Sequence, residues 1–146
     1  MSPFWWSYSR ALNDNVVTYD LLNYRRFTEQ IPWNKLTNLS PIEAESSAGD
    51  VYAMGSDQLV FGWAVNADAD MTGKTITLPD LGKGKYTLKL YHTWRGRFLQ
   101  DENDNEEWTV ESKGKSVSFD TPVHKVTGGH ARHIGQDIAF ILTPIE

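Results

Sequence analysis

A chain of 146 residues, 40% of them hydrophobic and 23% charged, has the make-up of an ordinary globular protein, with enough residues for one full core or for a small domain and an appended helix. Its formal net charge of −5 and the lack of any Lys/Arg run exclude the electrostatic footprint of a nucleic-acid binder or of a protein that rests on an anionic membrane. The absence of cysteine removes disulfides, thiolate metal sites and a cysteine nucleophile, and no apolar stretch approaches the roughly 18 residues of a membrane span.

The chain begins with an aromatic cluster, Phe4, Trp5, Trp6 and Tyr8, that runs into a polar Asn13-Asp14-Asn15 segment. Those side-chain oxygens can accept from the free N–H groups of a helix start. Val17, Leu21, Tyr24, Phe27 and Ile31 then recur at steps of three and four, which predicts one amphipathic α-helix with this stripe buried. Pro32 stops it, because it lacks an N–H and biases Ile31 away from the α region. The start lacks the basic-then-apolar order of a signal peptide, so any export signal is expected to lie upstream or to have been removed.

From Thr37 to Gly49 the chain is polar and turn-rich, and it reads as a linker. Beyond it the period changes to two. Segments 51–55, 59–66, 74–81, 85–94, 96–100, 106–112, 115–121 and 136–145 are short, rich in β-branched and aromatic residues, and separated by turn signals. In segment 85–94, Tyr86, Leu88, Leu90 and His92 share one face while Thr87, Lys89, Tyr91 and Thr93 share the other, the alternation of a half-buried strand. About eight strands with no helical crossover predict an antiparallel β-sandwich. The fold class expected is mainly β, an antiparallel sandwich of about eight strands preceded by one amphipathic helix, divided as 1–36, a linker at 37–49, and 50–146.

Chemistry-bearing patterns are sparse. His124, His130 and His133, with Asp137 close behind, could approach one zinc ion, but the spacing is not that of a helical zinc site, and loop histidines more often meet solvent or backbone; neither metal nor cofactor is expected. The acidic run 101–107 starts like a calcium loop, yet Glu106 stands where a glycine should turn the chain and Ser112 where a bidentate glutamate belongs, so a polar hairpin tip is expected. There is no nucleophile-elbow or phosphate-loop motif. No carboxylate pair is marked for glycoside hydrolysis. Trp5, Trp6 and Tyr8 would offer flat faces to sugar rings if they sat in a loop at the top of a barrel, or would cover the helix as core. Trp63, Trp94 and Trp108 lie in strands, where core packing is the expectation.

The order PFWWSY, Asn-Asp cap, YDLLNYRRFTEQ and IPW resembles the last βα unit of a (β/α)8-barrel glycoside hydrolase of the bacterial clan that uses two catalytic glutamates. The remainder is similar to the C-terminal β-sandwich that commonly follows such barrels, a type named for collagen binding: Tyr86, Tyr91, Trp94 and Gly96 form its Y-x-x-x-x-Y-x-x-W-x-G pattern, and Asp137-Ile138-Ala139 its closing strand. The resemblance implies Trp5, with Trp6 as the alternative, as a sugar-subsite aromatic, and it implies no catalytic residue here, because the glutamates of that clan lie on earlier barrel strands. The chain is then expected to be a non-catalytic accessory region, inactive alone, whose partners are the catalytic barrel, a polysaccharide or oligosaccharide, and in the barrel's absence a second copy of itself. An extracellular or periplasmic parent is implied. The rival expectation is a free-standing carbohydrate-binding sandwich, which demands an exposed aromatic platform.

Overall fold

The computed structural model describes residues 15–122 and 135–145, with helix side chains from residue 21 onward. Within these, one helix, α1 (Asn15–Thr28), precedes ten strands: β1 (Ser40–Ile42), β2 (Glu45–Ser46), β3 (Asp50–Gly55), β4 (Val60–Val65), β5 (Thr75–Pro79), β6 (Gly84–His92), β7 (Arg97–Phe98), β8 (Trp108–Ser112), β9 (Ser116–Asp120) and β10 (Asp137–Pro144). The eight strands expected from period-two patterning are all present, and every pairing is antiparallel.

The larger sheet runs β1-β3-β4-β10-β6, with β7 and β8 sharing the far edge of β6; the smaller runs β2-β5-β9. The stretch expected as a linker, 37–49, therefore contributes an edge strand to each sheet, Ser40–Ile42 beside β3 and Glu45–Ser46 beside β5. Strands of two and three residues are too short to show a period, which is why the sequence reads as a plain turn-rich segment there. The acidic run 101–107 also differs from expectation: it is polar, but it joins β7 to β8 along one edge and closes no hairpin. Asp101 accepts from the backbone N–H groups of Asn103 (2.7 Å) and Asn105 (2.9 Å) and from the Asn105 amide (2.9 Å). These bonds favour the charged form and hold the Asp101 carboxyl below its ordinary range.

The core lies between the sheets. Val60 and Ala64 from β4, Ile138, Phe140 and Leu142 from β10, and Tyr86, Leu88 and Leu90 from β6 meet Ile76 and Leu78 from β5 and Val117 and Phe119 from β9. Phe119 and Phe140 meet edge to face at 5.4 Å. Gly62 leaves the space that Phe140 fills: a Cβ there would lie 2.4 Å from Phe140 Cζ. Burying such side chains is worth roughly 1.5–3 kcal/mol each, which makes this layer the main source of cohesion.

The two outer faces differ. On the smaller sheet, Thr75, Thr77, Ser118 and Asp120 alternate with the core residues and bond to one another, Thr77 to Ser118 at 2.9 Å and Thr75 to Asp120 at 2.6 Å. On the larger sheet the outer face carries large apolar side chains among polar ones, and part of it is covered by α1 and the chain after it. Ile31, Leu59 and Ile141 are buried there, with Phe27, Leu36, Phe61 and Phe98 packed around them. Trp33 meets Phe61 at 5.3 Å, and Phe27 meets Tyr91 at 5.2 Å. Tyr91 is thus buried although it lies on the outward side of β6.

The helix stripe needs correction. Leu21 and Tyr24 are 58% and 65% exposed, whereas Asn23 is buried. Asn23, Phe27 and Ile31 are spaced by four, so they form a single line along the helix and its turn, and the helix rests on the sheet by that narrow edge. A polar residue can occupy the line because its side-chain amide donates to the Trp94 carbonyl at 3.0 Å; the backbone carbonyl of the same residue accepts from the Tyr91 hydroxyl at 2.9 Å.

Candidate functional site

Beside the area covered by α1, the outer face of the larger sheet carries an open aromatic cluster. Its placement follows from strand register. Tyr52 on β3 is paired with Trp63 on β4, Trp63 with Ala139 on β10, and Ala139 with Tyr91 on β6. Side chains paired across a sheet point to the same face, so these four form one row over four strands. The helix buries the Tyr91 end. At the other end Tyr52 is 65% and Trp63 46% exposed.

The next row contains Asp50, Val65 and Asp137, again by register. Asp137 binds three side-chain donors. Its Oδ2 accepts from the Trp63 indole N–H at 3.2 Å, and its Oδ1 accepts from the Trp94 indole N–H at 2.8 Å and from the Thr93 hydroxyl at 2.6 Å. Trp94 lies in the turn after β6 and is 65% exposed. Two indole rings, one on β4 and one in the turn after β6, are thereby fixed to one carboxylate. A carboxylate offers about four acceptor directions; among the described residues three are used, and one on Oδ2 takes no donor.

The turn that holds Trp94 is gripped from two sides. The N–H groups of Arg95 and Gly96 donate to the His92 carbonyl at 3.2 and 2.8 Å, while Asn23 of α1 bonds the Trp94 carbonyl. Gly96 has φ +65°, and a Cβ there would lie 1.9 Å from Asn23 Oδ1, so the turn needs glycine both for its backbone and for the close approach of the helix. The spaced residues of segment 86–96 now have separate tasks. Tyr86 donates to the Gly82 carbonyl at 2.9 Å, Tyr91 to Asn23, Trp94 to Asp137, and Gly96 admits Asn23. Tyr91, Trp94 and Gly96, together with Asp137, form the joint of helix, sheet and last strand, while Tyr86 faces the core at the other end of β6.

Trp63 and Trp94, expected in the core, are instead surface residues; Trp108 is half-buried against the core, as expected. On β4 the inward positions are Val60, Gly62 and Ala64, which leaves Trp63 on the outside between Phe61 and Val65. Both faces of that strand are apolar in sequence, so pattern alone does not orient it. Tyr52, Trp63, Trp94 and Asp137 were not legible as a group; the one signal was a tryptophan next to Arg95-Gly96, a turn rather than a strand interior. Trp5, Trp6 and Tyr8 lie outside the described residues, as do His124, His130 and His133. Asp137, weighed above as a metal ligand, has its oxygens engaged by indole and hydroxyl donors, and among the described residues no three His, Cys, Asp or Glu side chains group to hold a metal ion.

A shallow open depression of about 400 Å³ adjoins Tyr52, bounded by Glu45, Ser46, Gly49 and Asp50. It lies where β2 of one sheet approaches β3 of the other. The chain matches no protein family, no curated protein and no solved structure.

Proposed function

We propose that this chain is a non-catalytic accessory region of a carbohydrate-active enzyme, one that packs against a catalytic (β/α)8 barrel of an extracellular or periplasmic glycoside hydrolase. The observation that carries the reading is how α1 is mounted. One line of the helix, Asn23, Phe27 and Ile31, fastens it to the sandwich, while Leu21, Leu22 and Tyr24 face outward with 58%, 38% and 65% of their surface open. Exposed apolar side chains of this size, grouped on one short helix, call for a second body. The last helix of a barrel, with strands of the barrel on one side and the sandwich on the other, meets that requirement, and the N-terminal aromatics Trp5, Trp6 and Tyr8 would then stand next to the barrel's sugar site. Without a barrel the same face would pair two copies of the chain.

The test is the reading frame upstream of Met1, expressed together with this chain. The expected product is a barrel with two catalytic glutamates that hydrolyses a polysaccharide, while the 146-residue chain alone hydrolyses neither aryl glycosides nor polysaccharides. An upstream frame that encodes no barrel, or turnover by the isolated chain that vanishes on changing one of its own carboxylates, would refute the reading. A second reading, a saccharide-binding sandwich in its own right, is favoured by one observation: Tyr52, Trp63 and Trp94 stand exposed around Asp137.

A further inference from the structure

The geometry points to a saccharide-binding surface on the outer face of the larger sheet, formed by Tyr52, Trp63 and Trp94 around the Asp137 carboxylate, whose ligand is a neutral polysaccharide. The choice of ligand class rests on the carbohydrate reading above, but the site is argued from its own chemistry.

Exposed tryptophans usually lose side-chain freedom when a ligand arrives, and that loss lowers affinity. Here the loss has already occurred in folding. Asp137 holds the Trp63 and Trp94 indoles at 3.2 and 2.8 Å, and Thr93 at 2.6 Å holds Asp137. The ring faces are therefore presented in a fixed arrangement, with Tyr52 next to Trp63 by cross-strand pairing. Strands lie about 4.8 Å apart, so β3, β4 and β10 span ~10 Å, enough for about two sugar units in line.

The mixture of groups selects the occupant. A sugar ring has an apolar C–H face for an aromatic ring and hydroxyl donors at its rim for a carboxylate. The acceptor direction of Asp137 Oδ2 that no described residue fills, the Asp50 carboxylate in the same row and Glu45 at the adjoining depression suit hydroxyl donors. A protein partner or a second copy would bury the Asp137 and Asp50 carboxylates together, and the cores of protein interfaces are depleted in aspartate. An anionic polymer would meet these carboxylates in a chain whose net charge is already −5. The smaller sheet's outer face, with its Thr, Ser and Asp side chains bonded to each other, offers nothing comparable.

The experiment is affinity electrophoresis of the chain in gels cast with xylan, mixed-linkage glucan, galactan, arabinan or galactomannan, with polygalacturonate as the anionic control, followed by calorimetry with oligosaccharides of the polymer that retards it. At least one neutral polymer is expected to retard the chain. Trp63→Ala and Trp94→Ala should each weaken binding about tenfold, equivalent to about 1.4 kcal/mol, and Tyr52→Ala by less. Circular dichroism melts report folding; Trp94, 65% exposed, is the variant expected to keep it intact. The proposal is overturned if no neutral polymer retards the chain, if the folded Trp94→Ala variant is retarded like the wild type, or if that variant changes the sedimenting mass, which would make the patch an interface between copies. None of these outcomes depends on the upstream reading frame, so the failure of this proposal and that of the accessory-region reading are distinguishable.

Discussion

Tyr91→Phe would remove one oxygen from the joint between α1 and the sheet while leaving its rings in place. That hydroxyl donates to the Asn23 carbonyl at 2.9 Å, a bond between residues 68 apart in sequence. The ring stays packed between Phe27 and Phe98, at 5.2 and 5.1 Å. The expected loss is that of one buried hydrogen bond, about 1 kcal/mol at neutral pH, or about 2–4 °C in Tm for a chain near this size. The pH dependence adds a second signature. Burial pushes the Tyr91 phenol above its ordinary value, and the Arg26 guanidinium offsets part of that rise. In the unfolded chain the phenol ionises near pH ~10. Above about pH 10 the unfolded chain therefore releases a proton that the folded chain retains, and stability falls as pH rises. The contribution is complete below the unfolded value and is lost as pH passes through the folded one. A phenylalanine in its place cannot titrate, so the wild-type and variant curves should lie apart near neutral pH and converge at alkaline pH. Paired urea titrations from about pH 7 to about pH 11, followed by circular dichroism, measure this directly. Coincident midpoints at neutral pH, or a constant gap across the range, would refute the idea that this hydroxyl holds the helix.

Gly96→Ala would place a Cβ 1.9 Å from Asn23 Oδ1 at a residue with φ +65°; a cost of about 1–3 kcal/mol is expected, with hydrogen exchange showing protection lost in α1 before the sheets. Leu21→Asp and Phe27→Asp should behave differently: Leu21 is 58% exposed, so its change should leave stability within about 0.5 kcal/mol yet lower the sedimenting mass, whereas Phe27→Asp, opposite Tyr91, should cost about 2–4 kcal/mol in denaturant titration. Gly62→Ala would bring a Cβ within 2.4 Å of Phe140 and 2.7 Å of the Tyr52 carbonyl, and a loss of about 1–3 kcal/mol together with an altered near-ultraviolet spectrum is expected.

The sandwich was legible because period-two patterning is strong where one face is dry and the other wet. On β9, Val117 and Phe119 alternate with Ser116, Ser118 and Asp120, and the structure keeps that alternation. On β10 the run from Ile138 to Leu142 is apolar throughout and shows no alternation, because α1 and its following turn cover Ile141 from the outside. The helix itself was legible as a helix but not in its orientation. A 3.6-residue period selects Leu21 and Tyr24 as buried; packing selects Asn23, because its side-chain amide bonds the Trp94 carbonyl there and its small side chain leaves room for Gly96. The aromatic surface was least legible of all. Residue type assigns tryptophan to a core, and only the register that brings Trp63 and Trp94 to Asp137 shows them on the outside.

The short strands β1 and β2 have a consequence for how this protein can be cut. Two residues, Glu43 and Ala44, separate them, yet they close opposite sheets of the sandwich. A fragment starting at Asp50 would keep almost the whole core and expose unpaired backbone along β3 and β5 at once. Open strand edges of that kind recruit other chains, and β3 would offer Val51, Tyr52 and Met54 along its length. The segment from Ser40 to Ser46 is the guard rail of the sandwich: Ile42 and Ala44 pack against the core, while Pro41 on the outermost strand and the carboxylates Glu43 and Glu45 beside it disfavour the addition of another strand. An excised domain that begins before Asn38 retains both guards.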